Sequence, residues 1–380
     1  MQTIQLTDLP VKECHQETFR ADAFRVLSRS GLHPTERVLL AHLPRQVAGD
    51  ILIVGNRSGV QGLILSAENP AACIVQHICD IHHAKALQRT LAAHDSARIR
   101  VECTPFLPEL PTTRLALLQA TARDTPAELT LDQLEDLRTK LPAGATCLVA
   151  YDGKPDWLRK QMKAIFGQVT ATPATKDVTL FRTVIPAATA TTPFVRRNFS
   201  ATFAASLSGD LPLQLTTLPG VFAHRRADEG GLALAEVAAR TLEPGTRVFD
   251  LGCGCGLVGL LLARHTPGIS VLCADSHARA IHCTAENART NQLSGVETML
   301  TDAPALNEAF TLFVGNPPYY ANYQIAELFI RTAYQALAPG GTALIVAKNH
   351  RWHEGFMHEL FGNAEVIKRR GYGVVRSVRA

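Results

Sequence analysis

The chain has 380 residues, 46% of them apolar and 19% charged, with a formal net charge of +4. That length suggests two domains at about 150 residues each. The apolar share excludes disorder as the dominant state, and so mild a charge does not by itself demand a polyanionic partner.

Residues 1–14 hold neither a basic cluster nor an apolar run of the kind a secretory leader needs, so a cytoplasmic protein is expected. The first strong pattern is DILIVGNRSGVQGLIL at 50–65. It aligns with RVFDLGCGCGLVGLLL at 247–262, so that Gly55, Gly59 and Gly62 fall on Gly252, Gly256 and Gly259 at a shift of 197. LPAGATCLVA (141–150) likewise matches LAPGGTALIVA (337–347). Trp157, Phe166, Gly167 and Arg182 match Trp352, Phe361, Gly362 and Arg376 at shifts of 194 or 195. Segments that repeat in order at a nearly constant offset mark an internal duplication. Two related domains are expected, 1–185 and 200–380, with a linker at 186–199 where IPAATATTP lacks helical periodicity.

In the second copy the runs TRVFDL, ISVLCAD, FTLFVG and TALIVA are each followed by a glycine turn or a helical pattern. Within 324–337, Ile325, Leu328, Phe329, Ala333 and Leu337 fall on one helical face. Alternating strands and helices imply an α/β fold with a mostly parallel, doubly wound sheet in each copy. The longest nearly apolar stretch, 251–263, is broken by glycines and is well short of the roughly 20 residues that cross a bilayer, so no membrane span is expected. The nine cysteines are an odd number, and Cys253 and Cys255 stand one residue apart in a glycine loop. Neither a disulfide framework nor a zinc site fits that spacing, so reduced, mostly buried thiols are expected.

The loop Asp250-Leu-Gly252-Cys-Gly254-Cys-Gly256 follows a strand and opens an apolar helix, where a doubly wound sheet places its ligand. Gly254-x-Gly256-x-x-Gly259 spells the dinucleotide fingerprint. Asp250 counts against it: a carboxylate repels a pyrophosphate but attracts the ammonium of an amino-acid cofactor such as S-adenosyl-L-methionine. Asp275, ending the next strand, suits ribose hydroxyls of either cofactor. Asp302, after the third strand, fits either of two roles, facing an adenine amine or forming a turn before Pro304.

VGNPPYY at 314–320 ends the following strand and opens on the same crevice. Its paired prolines stiffen the backbone and leave carbonyls without a local N–H partner. Asn316 adds a side-chain acceptor and Tyr319 an aromatic face. Together they describe a receptor for a planar NH₂ group, whose two hydrogens are accepted while its ring is stacked. HEGFMH (353–358) sets its histidines about 140° apart on a helix, which excludes the two-histidine face of a zinc protease.

DLGCGCG, ADS (274–276) and NPPY, in this order, resemble class I S-adenosylmethionine-dependent methyltransferases that modify amino groups. More narrowly they resemble the RsmC/RlmG family of ribosomal RNA guanine-N2 methyltransferases. LPGVFAHRRADEGGLALAE (218–236) and LFGNAEVI (360–367) add to the likeness, which covers the chain weakly in its first half. The resemblance implies that Asp250, Gly252, Cys253 and Gly254 hold the methionine part of the cofactor. Asp275 and Ser276 would hold its ribose, Asp302 and Ala303 its adenine edge, and Asn316, Pro317, Pro318 and Tyr319 the target amine. It further implies a monomer without metal, acting on ribosomal RNA or a ribosomal subunit, with small-subunit RNA favoured. The family usually continues NPPF-His where this chain has NPPYYANY; tyrosine there is more typical of glutamine-N5 and adenine-N6 methyltransferases, so those targets stay open beside guanine. A non-catalytic RNA-binding scaffold is a third reading, opposed by the intact acids, glycines and NPPY.

The first copy reads GNRSG at 55–59, lacks the preceding acid, and has no NPP near 118–126. It is expected to be degenerate, docking RNA or stiffening the enzyme. Three basic clusters are candidates for phosphate contact: Arg159, Lys160 and Lys163; His224, Arg225 and Arg226; Lys368, Arg369 and Arg370.

Overall fold

The structure, a computed structural model, describes residues 1–6, 11–94, 96–187, 194–303, 309–318 and 323–380. The chain divides into Met1–Phe199 and Ser200–Ala380.

The first unit opens with a small sheet of β1 (Gln2–Gln5), β2 (His15–Phe19) and β3 (Phe24–Ser28), followed by α1 (Pro34–His42). Then come β4 (Asp50–Val54), α2 (Val60–Glu68), β5 (Ile74–His77), α3 (Ile81–Ala92), β6 (Ile99–Glu102) and β7 (Thr113–Ala120). The unit continues through α4 (Ala127–Lys140), β8 (Thr146–Tyr151), α5 (Pro155–Phe166), β9 (Thr170–Pro173) and β10 (Thr179–Val184). Its main sheet has the order β6-β5-β4-β7-β8-β10-β9.

The second unit starts with the hairpin β11 (Ala201–Ala205) and β12 (Leu213–Thr217), then α6 (Glu229–Ala238). It continues with β13 (Arg247–Leu251), α7 (Leu257–His265), β14 (Ser270–Asp275), α8 (Ala278–Thr290), β15 (Val296–Leu300) and β16 (Phe310–Gly315). It closes with α9 (Gln324–Ala336), β17 (Leu337–Ala347), α10 (Arg351–Phe361), β18 (Glu365–Arg369) and β19 (Tyr372–Val378). The sheet order β15-β14-β13-β16-β17-β19-β18 repeats that of the first unit. Five strands run parallel, and β19 alone runs antiparallel to both of its neighbours. The duplication legible in the sequence is therefore a duplication of topology.

Local sequence accounts for the elements that carry the crevice. β13 is central and, after the exposed Arg247 at its start, is buried and reads as an apolar run interrupted by Asp250. Its Phe249 is fully buried, stacked on Phe310 at 5.2 Å between centroids and edge-on to Phe313 at 5.3 Å. α7 starts at Gly256, whose φ of +85° an L side chain rarely adopts. Gly167 and Gly362, equivalent in the repeat, end α5 and α10 with positive φ as C-terminal caps.

The segment expected as linker is in part bound to the first unit. Phe194 and Phe199 join the cluster around α4 and α5. The Arg196 guanidinium pairs with Asp132 and Asp136, and Glu135, buried on α4, accepts the Arg197 backbone N–H at 2.7 Å. The Ala-Thr-Pro composition that suggests a linker ends before these residues, and 188–193 lie outside the described residues.

The first unit's crevice is filled by its own side chains. Asn56 stands where the second unit has Cys253, at the end of the strand whose Ile53 replaces Asp250. The Asn56 amide donates to Glu36 at 2.9 Å and to Gln119 at 3.3 Å, and its oxygen accepts from Gln76 and from the Gly59 N–H. Ser58 donates to Glu36 as well. Burial raises the Glu36 carboxyl above the usual carboxylate range, against the lowering effect of these donors. Glu36, Asn56 and Gln76 are buried, so this polar network occupies the space beside the loop.

Candidate functional site

At the carboxyl edge of the second sheet, four adjacent parallel strands end in residues singled out by sequence: Gly252 after β13, Asp275 on β14, Asp302 after β15 and Asn316 after β16. Gly252 and Gly254 have φ of +71° and +59°. A Cβ at Gly252 would lie 2.8 Å from Phe329, whereas one at Gly254 would meet nothing within 4 Å, so the loop is packed beneath Gly252 and open above Gly254.

The loop's amides are mostly committed. Gly252 N–H and Cys253 N–H both donate to the Ala274 carbonyl, at 2.8 and 3.0 Å, and Gly256 N–H donates to Cys253. The Gly254 N–H donates to Asp275 Oδ2 at 2.9 Å. The His277 N–H donates to Asp275 Oδ1 at 2.8 Å, which fixes that carboxylate at the end of β14. A pyrophosphate site needs amide N–H groups aimed at the ligand. Here those groups are spent on protein acceptors and two carboxylates stand beside the loop, an arrangement suited to a cationic ligand with ribose hydroxyls.

Asp250 is 2% exposed and accepts the Gly259 N–H at 2.8 Å, bracing α7 against the sheet. Burial pushes its carboxyl up to about 7, helped by the negative charge of Asp275 and opposed by the Gly259 bond. A carboxyl whose folded value lies above its unfolded one, near ~4, contributes stability below that lower value and loses it as pH rises through the upper one. Asp250→Asn keeps a carbonyl for Gly259 and does not titrate. Its denaturant midpoint is therefore expected to gain on wild type between about pH 4 and about pH 7. An unchanged gap would show that Asp250 does not titrate in this range.

Support for the loop comes from residues that sequence reading missed. From α8, Thr284 donates to the Gly254 carbonyl at 3.0 Å. Asn287, 1% exposed, donates to the Cys255 and Thr216 carbonyls at 2.9 Å each and accepts the Thr216 N–H at 2.8 Å. No disulfide joins the nine cysteines, five of which are buried, and burial pushes the Cys255 thiol up to about 12.

Asn316 is half-buried, and its Nδ2 donates to Asp228 Oδ2 at 2.9 Å. Asp228 caps α6, the same oxygen accepting Gly231 N–H at 2.7 Å. Pro317 is buried and Pro318 half-buried; Tyr319, the fourth member of the motif, lies outside the described residues. Ser276 and Asp302 are half-buried and Ala303 exposed along the same edge. Among the basic clusters, Arg159, Lys160 and Lys163 are exposed on α5, while Arg369 and Arg370 pair with Glu236, and Arg370 also with Glu229 at 2.8 Å. Those pairs leave the third cluster less able to meet phosphates than its sequence suggested. Among the described residues no group of histidine, cysteine and acidic side chains could hold a metal, and no helix is long and apolar enough to cross a membrane.

Sheet order, single antiparallel strand and glycine loop define the Rossmann-like methyltransferase fold, present twice, with its open cradle in the second unit. Residues 212–376, within the second unit, match the family model described as Methyltransferase small domain.

The chain is 33% identical over 167 residues to ribosomal RNA small subunit methyltransferase C of Pseudoalteromonas translucida, covering 42% of this chain and 48% of that protein. It is 30% identical over 173 residues to the protein of the same name from Cronobacter sakazakii, covering 44% and 49%. The match thus spans about half the length of these curated relatives. Among solved structures, the 16S rRNA N2 G1207 methyltransferase (RsmC) of T. thermophilus, in complex with AdoMet and guanosine, has a TM-score of 0.75 at 20% identity. That likeness covers 96% of this chain and 98% of the other, and it shows the same fold.

Proposed function

We propose that this chain is an S-adenosyl-L-methionine-dependent methyltransferase acting on the exocyclic N2 amine of a guanine in small-subunit ribosomal RNA. The observation that carries the reading is the pairing, on one sheet edge, of the open glycine cradle with an Asn316 whose amide NH₂ is already engaged. The relatives' shared name and the neighbour's bound AdoMet and guanosine support it.

When bound, the cofactor supplies an electrophilic methyl on a sulfonium. Gly252, Cys253 and Gly254 would cradle its methionine part beside Asp250, Asp275 and Ser276 would take its ribose, and Asp302 and Ala303 would line its adenine. Asn316 Oδ1 and the Pro317 carbonyl accept the two hydrogens of the target amine, and Pro318, lacking an N–H, keeps that carbonyl uncommitted locally. An aromatic amine is a poor nucleophile because its lone pair is delocalised. Drawing both hydrogens to one side localises that pair for attack, and the nitrogen's proton becomes acidic only after transfer. Positioning and electrostatics then suffice without a strong base. Tyr319 is assigned the stacking role, and the first unit RNA docking or support, with Arg159, Lys160 and Lys163 as phosphate contacts.

Gly254→Ala tests the cradle. A methyl in the left-handed region costs about 1–2 kcal/mol but meets no neighbour, so the variant is expected to fold and to bind the cofactor about tenfold or more weakly by calorimetry. Unchanged affinity would remove the loop from the cofactor site. The function itself is tested by incubating the protein with methyl-labelled donor and small ribosomal subunits, naked ribosomal RNA or a glutamine-bearing protein substrate. Label is expected in RNA; label in protein alone would replace the reading with an amide methyltransferase.

A further inference from the structure

We infer that Asp228 is a positioning residue for Asn316, an inference that rests on the reading of Asn316 as the amine receptor. The two lie 88 residues apart in sequence and meet at 2.9 Å. A carboxylate oxygen only accepts, so the amide end facing Asp228 must be the NH₂, and chemistry rather than electron count fixes which way Asn316 points. Its carbonyl is thereby turned away from Asp228, ready to accept. Asp228 is itself held, because Oδ2 also takes the Gly231 N–H at 2.7 Å at the start of α6. The approach is tight: a Cβ at Gly230 would sit 3.0 Å from Oδ2, so the helix start leaves room for this carboxylate. A negative charge on the NH₂ side also polarises the amide, raising the negative charge on Oδ1 where the transferring nitrogen becomes positive. Strained backbone at Ala223 (φ +53°) and Arg225 (φ +78°) precedes Asp228 in the chain, the kind of local cost found where a residue's placement matters.

A plain N-cap would require none of this coupling, and substitution separates the roles. Serine and asparagine cap helices about as well as aspartate, so Asp228→Ser and Asp228→Asn are expected to melt close to wild type. Serine cannot reach Asn316. Asparagine, with its carbonyl in the place of Oδ2, still accepts from both Gly231 and Asn316 and loses only the charge. Asp228→Ser is expected to lose about 10- to 100-fold in kcat, the scale of a small misplacement, and Asp228→Asn, which keeps the contact, to lose at least several-fold less, with KM for RNA and cofactor affinity within about threefold of wild type in both. In an Asn316→Ala background the Asp228 substitutions should cost nothing further, since the partner they act through is gone.

A kcat left intact in folded Asp228→Ser, a loss in Asp228→Asn as large as in Asp228→Ser, or a loss that persists undiminished in Asn316→Ala, would overturn the inference. The Asn316 side-chain amide resonances, assigned by their disappearance in Asn316→Ala, give a readout that needs no reaction. They are expected to shift in Asp228→Ser, and their failure to move would refute the contact even if wild type methylated nothing. Absence of wild-type transfer would instead count against the function.

Discussion

Asn316→Ala is expected to lower methyl transfer about 10²- to 10³-fold, the usual effect of deleting one preorganised polar group at the reacting centre. Cofactor affinity should stay within about twofold, because the glycine cradle and Asp275 are held by backbone bonds to β14 and by α8 without reference to Asn316. Single-turnover rates and calorimetry on the same preparation check both halves. Equal loss of cofactor affinity would move Asn316 out of the amine receptor and into the cofactor site.

The largest effect on stability is expected from Phe249→Ala. The ring is fully buried between Phe310 and Phe313, and removing it leaves a cavity in the strand that carries the loop. Truncations of this kind cost about 3–5 kcal/mol, against about 5–15 kcal/mol for a typical domain. A fall in the urea midpoint at constant m-value is expected, and a loss under about 1 kcal/mol would mean that the site repacks. Cofactor binding should fall with it when measured near the midpoint, since Asp250 and the loop follow Phe249 directly in the chain.

Much of this was written locally in the sequence. β14 and β16 are largely apolar runs that end in an acid and a glycine, β13 is followed directly by Gly252, and 324–337 shows its helical face; the structure places α9 at Gln324–Ala336. The duplication was legible because glycines with positive φ, such as Gly59 and Gly256, are hard to replace and keep their spacing. Residues whose meaning is a distant contact were not legible. Asp228 reads as any helix cap until β16 brings Asn316 against it. Thr284 and Asn287 carry no signal of their own in the sequence, yet they donate to the loop carbonyls, and Asn287 also bonds β12. The plug in the first unit draws Glu36, Asn56, Ser58, Gln76 and Gln119 from separate elements, so loss of the acid and of NPP hinted at an inactive copy without showing what closed it. Asp250 was singled out for its charge, whereas its geometry is that of a buried brace for α7.

The most direct measurement is nucleoside mass spectrometry of ribosomal RNA after single-turnover incubation with the protein and donor. N2-methylguanosine, formed by wild type and nearly absent with Asn316→Ala, is the expected product. Methylation confined to adenine or to protein, or an Asn316→Ala yield equal to wild type, would contradict the assignment.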